Sequence, residues 1–170
     1  REGSAFYELE PGRGRLTRLP VPDGQPVHAA YHPDPDRLLV VADRGEGRLG
    51  VTLYDRSREP WRPLAEVVDV AVAVVDPRHR RIVLASMSKS EIRSADLELG
   101  DVRTVDRVGT QRRNRTLVAT PAGVRVMDAG PGCFWRWRLV AVAGKSDLPA
   151  PCLGEVDWYL EGVTYHPGQD

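Results

Sequence analysis

Lysine is nearly absent from this sequence: it occurs at Lys89 and Lys145 alone, and arginine supplies the other positive charges. Net charge is absent as well, because 24 basic side chains offset 24 acidic ones at a pI near 7.1. A nucleic-acid footprint normally shows as a strongly basic face, so this balance argues against one through this segment. No apolar run approaches the ~20 residues that cross a bilayer, and no membrane contact is expected of the chain. An initiator Met and a charged-then-apolar leader are missing too, and the abrupt start at Arg1 reads as a cut from something longer. Cysteine occurs only at Cys133 and Cys152. What is present suits one ordered domain: 170 residues, 41% hydrophobic and 28% charged, enough to bury a real core and too apolar for a disordered chain.

Glycine (16) and proline (14) are spread along the whole chain and leave no room for a helix of normal length. The apolar signal is short and blocky: Arg37-Leu-Leu-Val-Val-Ala42, Leu49-Gly-Val-Thr-Leu-Tyr54, Arg81-Ile-Val-Leu-Ala85, Thr116-Leu-Val-Ala119, Gly123-Val-Arg-Val-Met127 and Trp135 to Val142. Short β-branched runs bounded by turn formers are strand signals. Ala65 to Val75 is the one helical temptation. Its valines lose χ1 freedom in a helix, and Asp76-Pro77 stops it, so it reads as one buried strand or two. The chain is expected to be all-β.

An internal repeat is the strongest signal. Tyr31-His-Pro-Asp-Pro-Asp36 returns as Tyr165-His-Pro-Gly-Gln-Asp170, an offset of 134. Arg37-Leu-Leu-Val-Val-Ala42 is echoed by Arg80-Arg-Ile-Val-Leu-Ala85, which sets Ala85 43 positions after Ala42. Leu9-Glu-Pro-Gly12 is echoed by Leu97-Glu-Leu-Gly100, an offset of 88, or two steps of 44. A period of roughly 40–50 residues with four short strands per unit is the signature of a β-propeller, whose blades stack because one sheet cannot cover both of its own faces. The expected fold is a partial propeller of about three to four four-stranded antiparallel blades. Its expected units are 1–26 (the end of one blade), 27–69, 70–110, an irregular 111–160, and 161–170 opening the next. Leu39, Val41, Ile82, Leu84 and Leu117 are expected to be buried, with Ala42 and Ala85 in like places. Open terminal blades are expected to expose apolar faces and unpaired edges, through which the piece self-associates.

The run from Tyr31 to Gly47, followed by Leu53-Tyr-Asp55, resembles the repeat of the TolB-like propellers. That repeat reads Trp-Ser-Pro-Asp-Gly, a short strand, Ser/Ala-Asp-Arg-x-Gly and Leu-Tyr-x-x-Asp; here Tyr31-His32 stands in place of Trp-Ser. Pro121 to Val126 and Cys133 to Trp137, with Asp157 to Pro167, also resemble the C-terminal propeller portion of CadC-like winged-helix regulators. The resemblance implies a non-enzymatic sensory or interaction domain of a membrane-anchored transcriptional regulator, in the periplasm, with an unknown protein or small-molecule ligand as partner. The alternative function is the accessory gating propeller of a prolyl-oligopeptidase-type hydrolase, and the alternative compartment is the cytoplasm. A winged helix and ~20 apolar residues beside this piece would favour the regulator, and a downstream Gly-x-Ser-x-Gly the peptidase. In a periplasmic blade Cys133 and Cys152 pair, closing a loop worth roughly 3 kcal/mol; in a reducing compartment they stay thiols. The likeness to exported propellers favours the disulfide.

Catalytic and metal motifs are weak. Ser86-Met-Ser-Lys89 fits the Ser-x-x-Lys of penicillin-recognising acyl enzymes, but no helix and no Lys-Thr-Gly accompany it. Met87-Ser-Lys-Ser90 fits the mobile loop of class I tRNA synthetases without their His-x-Gly-His. Both read as one hairpin turn, and no catalytic residue is assigned. His28, His32, His79 and His166 lack zinc-like spacing, and Asp34 and Asp36 lack the glycine and distal Glu of a calcium loop. His32 and His166, at equivalent repeat positions, are expected to bond to backbone, and the Asp-Pro pairs to fix turns. No metal and no cofactor is expected. The candidate binding platform is Trp135, Arg136, Trp137, Arg138 and Trp158: period two sets the two strand tryptophans on one face and the arginines on the other. Trp rings and Arg planes stack on sugars, bases or peptide aromatics. The alternative is that the Trp face packs between blades.

Overall fold

The computed structural model describes residues 5–10, 12–20, 24–108, 117–130, 133–140 and 142, with backbone alone at 10, 127–130 and 133–138. Among the described residues the chain is all-β, with no helix and hence none long and apolar enough to cross a membrane. A two-stranded ribbon comes first, β1 (Tyr7–Glu10) with β2 (Arg15–Arg18). The first four-stranded sheet is β3 (Gln25–Tyr31), β4 (Arg37–Asp43), β5 (Leu49–Asp55) and β6 (Arg62–Val68). The second is β7 (Val70–Asp76), β8 (Arg81–Ser86), β9 (Glu91–Ala95) and β10 (Arg103–Arg107). A three-stranded sheet follows: β11 (Leu117–Thr120), β12 (Gly123–Gly130) and β13 (Cys133–Leu139). Every sheet is an antiparallel meander in chain order.

Burial explains why the strand signals are blocky. Alternate residues of a strand point to opposite faces. On β4, Leu39 and Val41 join Val51 and Leu53 of β5, and meet Val70, Ala73, Ile82, Leu84 and Ala95 of the second sheet. Leu38 and Val40 point the other way, into a cluster with Tyr54 and Trp61 that Phe6 and Leu19 of the ribbon cap. β8 repeats the arrangement, since Val83 and Ala85 join Ile92 against Leu117, Val124, Val126, Val140 and Val142. The sheets therefore stack face upon face in chain order. A strand covered on both sides needs apolar residues at every position, as β4 and β8 have. Leu39, Val41, Ile82, Leu84 and Leu117 are all buried, but the expectation that Ala42 and Ala85 hold like places is off by one residue. Both lie buried in the second strand of their sheets, with Ala42 on the Leu38 and Val40 face and Ala85 on the face toward the three-stranded sheet.

The segment from Ala65 to Val75 is two strands of different sheets, separated by Asp69 alone, at φ 57°. Arg93 braces this reversal, its Nη2 donating to the Val68 and Asp69 carbonyls at 3.0 and 2.6 Å. A bulge interrupts the opening strand of each four-stranded sheet, between Pro26 and His28 and between Val70 and Val72. Gly24, leading into β3, has φ +71°, and a Cβ there would sit 2.6 Å from the Asp43 carbonyl oxygen. Only glycine fits so close an approach.

The ribbon is covered on one face. Glu8 pairs with Arg56 at 2.9 Å, while Tyr7, Leu9 and Leu16 on the opposite face are 58%, 54% and 65% exposed.

Candidate functional site

Turns of both four-stranded sheets bring their charged side chains to one end of the stack, where the Pro121-Ala122 turn of the three-stranded sheet adds a backbone carbonyl. Asp residues shape these turns. Asp34 accepts from the Asp36 N–H, Asp55 from Ser57, Asp76 from Arg78 and Asp96 from Glu98, each about 3 Å away in an Asx-turn pattern. Asp43 does the same for Gly45 at the other end of β4. Hydrogen bonds from the Ser57 hydroxyl and N–H hold the Asp55 carboxyl below its usual range.

Connections between sheets converge at this end. His32 accepts the Asp34 N–H at Nδ1, 3.0 Å, so its proton sits on Nε2, which donates to the Leu97 carbonyl at 3.0 Å. The expectation that His32 bonds to backbone therefore describes both of its ring nitrogens; His166 lies outside the described residues. Arg37 bridges Asp34 and Glu98, which raises its guanidinium above its ordinary value, chiefly through the Glu98 hydrogen bond. Within the second sheet, Arg81 reaches Asp101 at 2.9 Å. At the next seam Arg78 donates to the Ala122 carbonyl at 3.1 Å, beside a fully buried Asp76. Asp76 accepts the His79 Nδ1–H at 2.8 Å and the backbone N–H groups of Arg78 and His79.

At the opposite end, Ser86 to Ser90 forms the β8–β9 turn. The Ser86 hydroxyl donates to Asp69 at 2.6 Å and accepts the Lys89 N–H at 2.9 Å, and Asp69 also accepts the Ser88 N–H at 2.8 Å. Burial works to raise Asp69, but these bonds and the Arg93 charge outweigh it and hold the carboxyl below its usual range. The Ser-x-x-Lys match thus lies in a turn, without the helical turn that the acyl-enzyme chemistry needs. Among the described residues no group of three or more His, Cys, Asp and Glu is placed to hold a metal ion.

The platform divides between described and undescribed parts of the chain. Trp135, Arg136, Trp137 and Arg138 lie on β13, where backbone register sets Trp137 opposite Met127, Arg136 opposite Asp128 and Arg138 opposite Val126. Val126 and Val140 pack toward the second four-stranded sheet. Period two then gives the Trp135 and Trp137 positions to the far face of the three-stranded sheet. Cys133 opens β13, whereas Cys152, and so its pairing, and Trp158 lie outside the described residues. Sequence reasoning expected Asp76-Pro77 to fix a turn, as it does, but missed the burial of Asp76 and missed His28, Asp69 and Arg93 as organising residues. An Asp at the end of a strand, just before a turn, is the signal that finds Asp76; Asp69 carries none.

No family model matches this chain, and no curated protein matches it.

Proposed function

We propose that the chain is a segment of a β-propeller with TolB-like repeats, and that it serves as a non-enzymatic sensory or interaction domain of a larger, CadC-like regulator. The observation that supports this reading is the face-upon-face stacking of successive antiparallel meanders. In it β4 and β8, 44 residues apart at Arg37 and Arg81, hold the same place in their sheets. Rigid sheets of this kind present turns to a partner while the scaffold stays fixed. The Trp135 and Trp137 positions, on the far face of the last described sheet, are the proposed platform, its occupant a peptide or glycan that stacks on indole. Arg136 and Arg138 hold the other face of the same strand, and Trp158 lies outside the described residues.

The test is a tryptophan-fluorescence titration with two probe sets, short aromatic-containing peptides and linear oligosaccharides. A saturable response to one set, lost in the Trp135→Ala/Trp137→Ala chain, is expected. A folded chain that responds to neither set refutes the platform. Compartment is tested separately: titration of the denatured, unreduced protein is expected to find no thiol. Two free thiols place the protein in a reducing compartment instead.

A further inference from the structure

Two imidazoles stitch the first four-stranded sheet to the second. His32 does so at the turn beyond β3, and His28 does so from within β3 itself, where Nε2 donates to the Ala73 carbonyl of β7 at 2.9 Å. His28 stands opposite Val41 of β4, beside the bulge that follows Pro26, and is half-buried.

We propose that His28 makes the seam between the two four-stranded sheets acid-responsive, so that β3 parts from β7 when the ring takes its second proton. With Nε2–H bound to Ala73, the second proton must enter at Nδ1 and bring a full charge into a half-buried position. The charged groups of the surrounding strands are already engaged. Arg37 of β4 is paired with Asp34 and Glu98, and Asp43 with the Gly45 N–H. Asp55 of β5 is bonded to Ser57, Glu66 of β6 to Arg44, and Asp76 of β7 to His79. Tyr31, on β3 itself, reaches Glu8. Burial pushes the His28 pKa below its ordinary 6.5, opposed only by the weaker influence of the Ala73 carbonyl.

The sign follows from linkage. An opened seam lets the ring titrate at 6.5, whereas the closed seam delays protonation to lower pH. His28 therefore favours closure fully above that value, and the advantage is lost as pH falls from it toward the folded pKa. One proton changes the opening equilibrium by up to about tenfold per pH unit in that window.

Amide hydrogen exchange tests this, with protection factors corrected for intrinsic rate at each pH. Ala30 of β3 and Val74 of β7 report the seam, and Thr52 of β5 serves as the internal reference. In the wild-type chain, protection at Ala30 and Val74 is expected to fall relative to Thr52 below pH 6.5, by up to about tenfold per unit. In His28→Gln, which keeps an N–H donor and cannot titrate, the ratio stays flat. Wild-type and variant ratios that fall in parallel, or a wild-type ratio that does not respond, overturn the proposal. Should the variant not fold, NMR titration of the wild-type ring decides: a pKa below 6.5 supports the seam, and one at or above 6.5 refutes it.

Discussion

The two four-stranded sheets have the same topology and little of the same sequence. Leu39 and Val41 of one stand where Val83 and Ala85 stand in the other, each pair facing the next sheet along the chain, while Ile82 and Leu84 face back and meet Leu39 and Val41 in one core between the sheets. Thr52 and Ser94 are buried hydroxyls on opposite faces of the two third strands, each taking a hydrogen bond from an arginine, Arg44 at 2.7 Å and Arg81 at 2.6 Å. The turns before the second strands share an Asx-turn and differ in what surrounds it. His32-Pro-Asp-Pro-Asp36 uses an imidazole and an Asx-turn, whereas Asp76-Pro-Arg-His79 buries a carboxylate bonded to its own histidine. The repeat is thus kept by burial pattern and by strand-end positions, while residue identity drifts.

The comparison breaks most sharply at the shared core. Leu53→Ala and Leu84→Ala each empty a fully buried site in it, and each is expected to cost about 3 kcal/mol in urea unfolding. Closely similar values support one interface shared by two equivalent sheets. A cost below about 1 kcal/mol for either removes that residue from the core.

The turns come next, and there the sheets should differ. Asp76→Ala leaves two backbone N–H groups and the His79 ring without their acceptor, at an expected cost of about 2–3 kcal/mol. Asp34→Ala, in the more exposed turn, is expected to cost about 1 kcal/mol or less. Equal losses would mean that the buried carboxylate gives the second turn no special role. Smaller still, Ser94→Ala and Thr52→Val are each expected to cost about 1 kcal/mol. Ser94 is the costlier of the two if its arginine partner, which is the less exposed, is held more firmly.

The smallest effect is a pH dependence. Asp69 is held below its ordinary 3.8, so its ionised form contributes stability above that value and loses it as pH falls through the folded pKa. The stability difference between wild type and Asp69→Asn should therefore shrink below pH 3.8. A difference that is constant between pH 6 and pH 3 means that the Ser86 and Ser88 contacts do not depend on the charge.

Much of this arrangement is legible in the sequence. β4 and β8 are, because burial on both faces leaves unbroken apolar runs. Ala65 to Val75 reads as strand because of its valines, but the break at Asp69 is not visible, since an ordinary aspartate takes a left-handed conformation there that neighbouring Arg93 stabilises from 24 positions away. β3 escapes notice altogether: Gln25-Pro-Val-His-Ala-Ala-Tyr31 is an edge strand with Pro at its bulge and mixed exposure. Its role at the seam comes from a histidine contact across 45 positions. The local Asx-turns are likewise readable from single aspartates, whereas the ion pairs between turns depend on which sheets stack.

The claim beneath all of this is that alternate residues of β4 face different sheets. Methyl–methyl NOEs in a Leu/Ile/Val/Ala-labelled chain test it directly. Leu39 and Val41 are expected to show cross-peaks to Ile82, Leu84 and Ala73, and Leu38 and Val40 to show none to these residues, their contacts running instead to the Tyr54 and Trp61 rings. Cross-peaks from Leu38 or Val40 to Ile82 and Leu84, with none from Leu39 or Val41, would contradict the stacking order of the sheets.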